Sequence, residues 1–155
     1  MSVQIRVNPT ISDGELYDFY IRNNICEKDF EKEVAARVLK NSSLIVAAFD
    51  DDQLVSIARA MFDGTAACIM ELSLELKFLG EQLQQNNGSV IEKDSVGLGK
   101  AIGEELLEEL WKMGATFISV YIIDGLEEHF YQSLGFKLNE GHSIFYIDKR
   151  PYKKY

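Results

Sequence analysis

A glycine-containing turn that runs directly into a regular helix is the feature that most constrains this sequence. The stretch covers residues 93–114, KDSVGLGKAIGEELLEELWKMG. A large aliphatic residue recurs at every fourth position (Leu98, Ile102, Leu106 and Leu110), and charged residues occupy much of the space between them. This spacing predicts an amphipathic helix that buries one stripe against the rest of the protein.

The two glycines at the start of this helix, Gly97 and Gly99, predict a sharp backbone turn whose amide groups are not shielded by Cβ atoms. The first N–H groups of a helix lack intrahelical partners and lie at the positive end of the helix dipole. The turn is therefore a candidate binding site for a phosphate group. The alternative interpretation is that the glycine pair only starts a helix.

Two known phosphate-binding loops differ from this one. A Walker A loop would need glycine at position 94 and serine or threonine at position 101, where this sequence has Asp94 and Ala101. A Rossmann loop is closer, since Gly103 and the acidic Asp124 follow, but it should continue directly from an apolar strand. Here the charged residues 92–94 intervene, and too few residues remain for the rest of such a domain.

The length and net charge of the chain limit the classes of protein to which it can belong. A chain of 155 residues predicts a single domain, residues 1–155. The net charge of −9 disfavours nucleic-acid binding, which needs clustered Lys and Arg, and it suits either plain solubility or a cationic substrate. The sequence contains no run of about 18 apolar residues, so no membrane span is predicted. The first residues lack the apolar core of a secretory signal, so we expect a cytoplasmic location.

Cysteine and histidine are too few for a disulfide framework or a zinc site. Cys26 and Cys68 form no CxxC motif, and without a secretory signal they are expected to be reduced thiols. The two histidines, His129 and His142, do not suffice for a zinc site, so no metal is expected. The three aspartates at 50–52 predict a hairpin turn rather than a calcium loop.

Hydrophobic periodicity predicts seven strands and four helices. Predicted strands cover residues 3–7, 44–49, 53–62, 66–76, 116–123, 136–138 and 143–147, and predicted helices cover 12–24, 28–40, 97–114 and 126–134. Early hairpins followed by a βαβ unit predict an α+β fold with one mixed, mostly antiparallel sheet flanked by helices. The polar residues 77–93 are expected to form a mobile connection.

Three of these segments carry more detailed expectations. The apolar residues 116–123 predict a buried strand. In the strand 66–76, Met70 should share a face with the leucines, opposite the glutamates. The first helix has an aromatic face that includes Tyr17 and Tyr20, which predicts either core packing or one wall of a substrate cleft.

A second motif, FYQSLGF at residues 130–136, follows the βαβ unit. Together with DSVGLG at residues 94–99, it resembles the GNAT superfamily of acyl-CoA-dependent N-acetyltransferases. Members of that family have a (Gln/Arg)-x-x-Gly-x-(Gly/Ala) loop before a helix, and a Phe-Tyr-x-x-x-Gly-Phe segment after the next strand and short helix. The predicted order of elements is also similar, so the resemblance covers residues 3–148.

The resemblance implies acetyl-CoA as co-substrate and a small-molecule or peptide amine as acceptor. Backbone amides at the glycine turn would hold the pyrophosphate, because hydrogen bonds from N–H groups to an anion need no side chain. The strand before the turn would lie beside the pantetheine arm. The implied cofactor-binding residues are Leu72, Leu74, Leu76, Val96, Gly97, Leu98, Gly99, Lys100 and Asp124.

The resemblance also implies catalytic roles. Tyr131 matches the family tyrosine that protonates the leaving thiolate, and a thiol pKa near 8.5 against a phenol pKa of about 10 makes that transfer feasible with tuning. Glu71 or Glu75 would accept the proton of the amine, directly or through water. The alternative function is a catalytically silent acyl-CoA-binding module with the same fold.

Three features of the sequence depart from the family pattern. Asp94 replaces the usual Gln or Arg, Asp124 stands where many members have Asn, and residues 77–93 lengthen the connection before the turn. Because dimers are common in the family, a homodimer is a further expectation. The identity of the acceptor stays open.

Overall fold

The computed structural model describes residues 2–26, 31–79, 87–91 and 96–150, and these ranges contain one five-stranded sheet. In chain order the elements are β1 (Val3–Val7), α1 (Asp13–Arg22), α2 (Lys32–Asn41), β2 (Leu44–Asp50), β3 (Gln53–Phe62), β4 (Ala66–Leu74), a 3₁₀ turn (Leu76–Phe78), α3 (Leu98–Met113), β5 (Phe117–Val120) and α4 (Glu128–Ser133).

The sheet has the order β1-β2-β3-β4-β5. Neighbours from β1 to β4 are antiparallel, whereas β4 and β5 are parallel. A parallel pair needs a crossover connection, and α3 supplies it. The predicted α+β class, with a mixed and mostly antiparallel sheet, is confirmed.

The core lies on both faces of the sheet, and β2 is buried on both sides. Its alternate residues Leu44, Val46 and Ala48 pack in the cluster that contains the α3 residues. Ile45, Ala47 and Phe49 pack in a second cluster with residues of α1 and α2. The sheet is therefore enclosed between α3 on one face and α1 with α2 on the other.

Helix α3 follows its prediction closely. The stripe Leu98, Ile102, Leu106 and Leu110 is buried. Gly97 at the N-cap and Gly114 at the C-terminal end both have left-handed backbone angles, with φ of 76° and 102°. Glycine adopts this conformation without a steric penalty, which is why the helix begins and ends at these two positions.

The boundaries of α1 and α2 also follow local chemistry. Ser12 caps α1, and its side-chain oxygen accepts a 3.1 Å hydrogen bond from the backbone N–H of Glu15. Helix α2 begins at Lys32 rather than at residue 28. Residues 28–30 of the predicted helix lie outside the described residues.

The prediction of a mobile connection at 77–93 is wrong for its described parts. Residues 80–86, 92 and 93 lie outside the described residues. The segment 87–91 is anchored, because the backbone N–H of Gly88 donates to Asn23 O and the N–H of Leu74 donates to Gly88 O, both at 2.8 Å. Ile91 is fully buried. Strand β4 ends at Leu74, so the prediction that it extends to residue 76 is also wrong.

The predicted alternation along β4 fails at Met70. Strand β3 pairs Arg59 with Glu71 but the next residue, Ala60, with Ile69. Met70 is therefore an extra residue at a β-bulge, and its side chain is exposed instead of sharing the buried face of Leu72. A bulge adds one residue to one strand and shifts the facing of every residue beyond it.

The predictions for the C-terminal third are the least accurate. Strand β5 spans only Phe117–Val120 and alternates between exposed and half-buried residues, so the predicted buried strand at 116–123 is wrong. The predicted strands at 136–138 and 143–147 are absent from the described residues. Periodicity identifies segments that favour extended structure, but whether such a segment pairs with a neighbouring strand depends on long-range contacts that periodicity does not record.

Within the described ranges, no helix is long and apolar enough to cross a membrane. The predicted cytoplasmic location stays a prediction.

The packing of α3 predicts the effect of a core truncation. Leu106→Ala should lower the free energy of unfolding by about 2–5 kcal/mol, because Leu106 is fully buried and the change leaves a cavity. Glu108→Ala, on the exposed face of the same helix, should change it by about 0.5 kcal/mol or less. Urea denaturation measures both. Equal effects would contradict the orientation of α3.

Candidate active site between the diverging strands

The candidate site lies where β4 and β5 separate. Their parallel pairing covers Ala66–Ile69 against Phe117–Val120, and β4 then continues to Leu74 without β5 beside it. A pocket of about 330 Å³ lies at this point. Strand β4 lines the pocket with Ile69, Met70, Glu71 and Leu72, and the opposite side is lined by Val120 of β5 and by Tyr121 and Ile123, which follow it. Tyr20, Arg59, Glu127 and Tyr131 also line the pocket.

Helix α3 approaches one wall of this pocket at Gly103. A Cβ atom on Gly103 would lie 2.8 Å from Leu134 Cδ1 and 3.5 Å from Leu72 Cδ1. Glycine at this position therefore permits close contact between α3, β4 and the end of α4. The first turn of α3 is only about 7 Å further along the helix axis.

That first turn suits an anion. Gly97 has no side chain to cap the helix, a Cβ atom placed there would meet nothing within 4 Å, and the first turn contains no acidic residue. Val96 and Gly97 are exposed, whereas Leu98 and Gly99 are buried. Helix geometry leaves the first amide N–H groups without intrahelical partners. Lys93 and Asp94 lie outside the described residues.

Tyr131 is buried on α4 and lines the pocket. Edge-to-face contacts with Phe130 and Phe136, with ring centroids 5.1 and 5.8 Å apart, hold its ring in place. Burial, together with the nearby carboxylate of Glu127, raises the pKa of the Tyr131 phenol above its ordinary value. The hydroxyl is therefore protonated at neutral pH and is available as a proton donor.

Glu71 also lines the pocket, and its carboxylate accepts three hydrogen bonds. Tyr20 Oη and Arg59 Nε each donate to Oε1 at 2.6 Å, and Ser73 Oγ donates to Oε2 at 2.8 Å. Burial, reinforced by the Glu71 charge, raises the pKa of Tyr20. The aromatic face of α1 thus serves both interpretations, since Tyr20 is buried in the second core cluster and also forms part of the pocket wall.

The side chain of Glu75 lies outside the pocket, where Arg22 and Asn23 hold it. Its carboxylate accepts hydrogen bonds from Arg22 Nε and Nη2, both at 3.0 Å, and from Asn23 Nδ2 at 3.2 Å. These contacts join the end of α1 to the residue that follows β4. Glu75 is not part of the pocket lining in the described structure.

Sequence reasoning missed Glu127, which is buried at the edge of the pocket. One carboxylate oxygen accepts a 3.2 Å hydrogen bond from the N–H of Ile91, and the other accepts a 3.0 Å bond from the N–H of Ile123. Burial raises the pKa of Glu127. The sequence alone does not distinguish Glu127 from Glu128. In the structure, Glu127 precedes α4 and is buried, whereas Glu128 is the first residue of the helix and is not.

The remaining predicted cofactor-binding residues are dispersed. Leu72 lines the pocket, Leu74 lies in the core, and Leu76 is half-buried in the 3₁₀ turn. Asp124 is exposed in the turn after β5. The pocket therefore brings together Glu71, Leu72 and Tyr131, whereas the predicted phosphate-binding turn at the start of α3 is not part of its described lining.

No family model matches the chain, and no curated protein matches it. Solved structures do match it. A Staphylococcus aureus protein described as a "probable acetyltransferase" aligns with a TM-score of 0.71 and 18% identity, over 95% of this chain and 99% of its own. A GNAT-family acetyltransferase of Streptococcus pneumoniae aligns with a TM-score of 0.69 and 17% identity, over 96% and 100%.

Glucosamine-6-phosphate N-acetyltransferase of Arabidopsis thaliana aligns with a TM-score of 0.66 and 14% identity, over 96% of this chain and 100% of its own. The chain has the GNAT acetyltransferase fold. The resemblance found in the sequence is thus confirmed at the level of the fold. The pocket of this chain lies at the gap between β4 and β5.

The environment of Glu127 predicts a pH dependence. Because burial raises its pKa above the ordinary 4.5, the folded state binds this proton more tightly than the unfolded state does. Relative to Glu127→Gln, wild-type stability should therefore fall as pH rises from about 4.5 through the folded-state pKa, and then level off. Urea denaturation of both proteins across this pH range measures the difference.

Glu128→Gln is the matched control, with the opposite sign. A hydrogen bond from the backbone N–H of Gly125 lowers the pKa of Glu128, so its stabilising contribution should be lost as pH falls below about 4.5. The same trend in both variants would contradict the buried position of Glu127.

Proposed function

We propose that this protein transfers an acetyl group from acetyl-CoA to a primary amine. The observation that carries the proposal is the shared location of three features. The gap between β4 and β5, the buried Tyr131 and the carboxylate of Glu71 meet in one pocket, and α3 approaches the pocket residue Leu72 at Gly103. Acyl transfer by direct attack needs this combination of a slot, an acid and a base.

The described residues fit acetyl-CoA. The first turn of α3 offers backbone N–H groups, a left-handed glycine and no acidic side chain, which suits a pyrophosphate. The opening between β4 and β5 exposes strand edges on which an extended amide-containing arm could form hydrogen bonds. Leu72 supplies apolar surface to the pocket wall. We assign the phosphate contacts to residues 96–100, as the sequence predicted.

Acetyl-CoA supplies the thioester whose C–S bond breaks as the C–N bond to the amine forms. Tyr131 gives its phenolic proton to the departing sulfur. Burial and Glu127 raise the pKa of Tyr131, so in the empty pocket the phenol is a weaker acid than a free one, and its proton moves only as negative charge develops on the sulfur. Packing against Phe130 and Phe136 fixes the direction of that hydroxyl.

We propose Glu71, rather than Glu75, as the residue that receives the amine proton, directly or through water. Glu71 lines the pocket, and a carboxylate with about four acceptor sites retains capacity after three hydrogen bonds. Glu75 is held by Arg22 and Asn23 outside the lining. Glu127 is a second carboxylate in the same pocket, and burial raises its pKa.

The charge of the pocket supports an amine acceptor. Glu71 and Glu127 carry two negative charges in the lining, and Arg59, which is ion-paired with Glu71, carries one positive charge. An amine reaches the pocket as a cation, so the excess negative charge attracts it. The same charge disfavours the sugar phosphate that the Arabidopsis relative is named for.

A catalytically silent acyl-CoA-binding module is the second candidate. The departures at Asp94 and Asp124 from the family pattern favour it. The two functions differ in thiol release from acetyl-CoA when a panel of primary amines is supplied. Amine-dependent release supports the transferase. Tight acetyl-CoA binding without release from any amine supports the silent module.

The role of Tyr131 predicts a specific kinetic change. Tyr131→Phe should slow amine-dependent thiol release about tenfold or more, because the proton donor is lost while the ring packing is kept. The affinity for acetyl-CoA, measured by calorimetry, should change little, because the hydroxyl acts on the departing sulfur. Unchanged turnover would remove Tyr131 from the mechanism. A matching loss of acetyl-CoA affinity would indicate a binding role instead.

A further inference from the structure

One side of the pocket is formed by apolar side chains that acetyl transfer itself does not require. Ile25 and Cys26 lie just after α1, and Val34 and Val38 lie on α2. The two valines are four residues apart, so they share one face of α2. All four residues are half-buried and line the pocket. Together they form an apolar wall.

The first half of the apolar wall is held beside Glu71 by Tyr20. The hydroxyl of Tyr20 donates a hydrogen bond to Glu71 at 2.6 Å. The backbone oxygen of Tyr20 accepts hydrogen bonds from the N–H groups of Ile25 and Cys26, at 2.9 and 3.3 Å. One residue of α1 therefore binds both the carboxylate and the chain segment that carries this half of the wall.

The second half of the apolar wall is tied to the ion-pair partner of Glu71. Arg59 Nε donates to Glu71 at 2.6 Å, and Arg59 Nη1 donates to Ser42 Oγ at 3.3 Å. Ser42 Oγ in turn donates to the backbone oxygen of Val38 at 2.6 Å. The carboxylate of Glu71 is thus linked to both halves of the wall, so a group bound at Glu71 has apolar surface next to it.

The apolar wall offers nothing that would pair with a second charge on the acceptor. Among the described residues, the charged side chains that line the pocket are Arg59, Glu71 and Glu127. Both carboxylate oxygens of Glu127 already accept backbone N–H groups, and Arg59 is already paired with Glu71. A second ammonium would meet aliphatic side chains near the cation of Arg59, and a carboxylate would be repelled by Glu71. An unpaired charge in apolar surroundings is costly.

We propose that the acceptor is a small primary amine with an apolar carbon skeleton and no second charge. Its ammonium group lies at Glu71, and its skeleton packs against the apolar wall. The pocket holds about 330 Å³, near the lower end for ligand pockets, and it must also take the acetyl end of the co-substrate, so the skeleton is compact. This choice of acceptor rests on the proposed function, which leaves the rest of the amine open.

Two pairs of amines of matched size test the apolar wall. Pentylamine and 1,4-diaminobutane have equal numbers of heavy atoms and differ in a terminal methyl group against a second ammonium. The pair 4-methylpentylamine and 4-aminobutanoate replaces an isopropyl end by a carboxylate. With acetyl-CoA, kcat/KM for thiol release should be about a hundredfold or more higher for the apolar member of each pair, because the charged member buries an unpaired charge. Equal values, or a preference for the charged members, overturn the proposal.

Val34→Asp tests whether the preference arises at the apolar wall. Val34 lies in the first turn of α2, where a carboxylate suits the helix dipole, so this variant should fold. It should lower the ratio of kcat/KM for pentylamine to that for 1,4-diaminobutane about tenfold or more, because the new carboxylate pairs with the second ammonium. Val34→Asn is the matched control, with the same shape and no charge, and it should not raise kcat/KM for 1,4-diaminobutane. An unchanged ratio in Val34→Asp, or an equal effect of both variants, overturns the assignment.

Binding of the same amines separates this proposal from the proposed function. Calorimetry on the protein alone and with CoA should show that pentylamine binds about tenfold or more tightly than 1,4-diaminobutane, independently of turnover. Selective binding of pentylamine without thiol release supports the acceptor chemistry and contradicts acetyl transfer. Thiol release that prefers the charged amines supports acetyl transfer and overturns the apolar acceptor. The absence of both binding and release with every amine overturns both proposals.

Discussion

The limited pairing between β4 and β5 is the constraint on which the candidate site depends. The two strands pair from Ala66 and Phe117 as far as Ile69 and Val120, and then separate. The bulge at Met70 falls at the point of separation and turns β4 locally, which is a recognised role of bulges near active sites. The resulting gap forms the pocket, and α3 can approach it closely because Gly103 has no side chain.

Buried carboxylates hold the surrounding elements in place around this gap. Glu71 accepts hydrogen bonds from Tyr20 of α1 and from Arg59 of β3. Glu75, which directly follows β4, accepts a hydrogen bond from Arg22 near the end of α1. Glu127 joins the segment 87–91 to the chain after β5. Each group is hydrogen-bonded, as a buried charge must be if its desolvation is to be offset. Of these three carboxylates, Glu127 acts on the phenol of Tyr131, because its charge and burial together raise the pKa of that hydroxyl.

The sequence predicted those elements whose structure depends on local chemistry. The stripe of α3, the glycine turn at its start and the early hairpins follow from periodicity and from backbone preferences within a few residues. The bulge at Met70, the burial of Glu127 and the separation of Glu75 from Glu71 depend on long-range contacts that no local pattern records. The C-terminal strand predictions failed for a related reason, because residues 143–147 favour extended structure but do not pair with any strand of the described sheet. Tyr131 and Glu71 were found through a family resemblance, and the structure brings both to one pocket.

The central claim is that the first turn of α3 binds the phosphates of acetyl-CoA, and thermal unfolding of two variants at Gly97 tests it most directly. Asn and Asp have the same shape, both tolerate the left-handed backbone at this position, and nothing lies within 4 Å of the added Cβ. At about 100 times its Kd, acetyl-CoA should stabilise wild type and Gly97→Asn by about 2.7 kcal/mol, while NAD should have no effect. Gly97→Asp should fold normally but lose most of that stabilisation, because its charge repels the pyrophosphate. Equal stabilisation of Gly97→Asp, or none in wild type, would contradict the account.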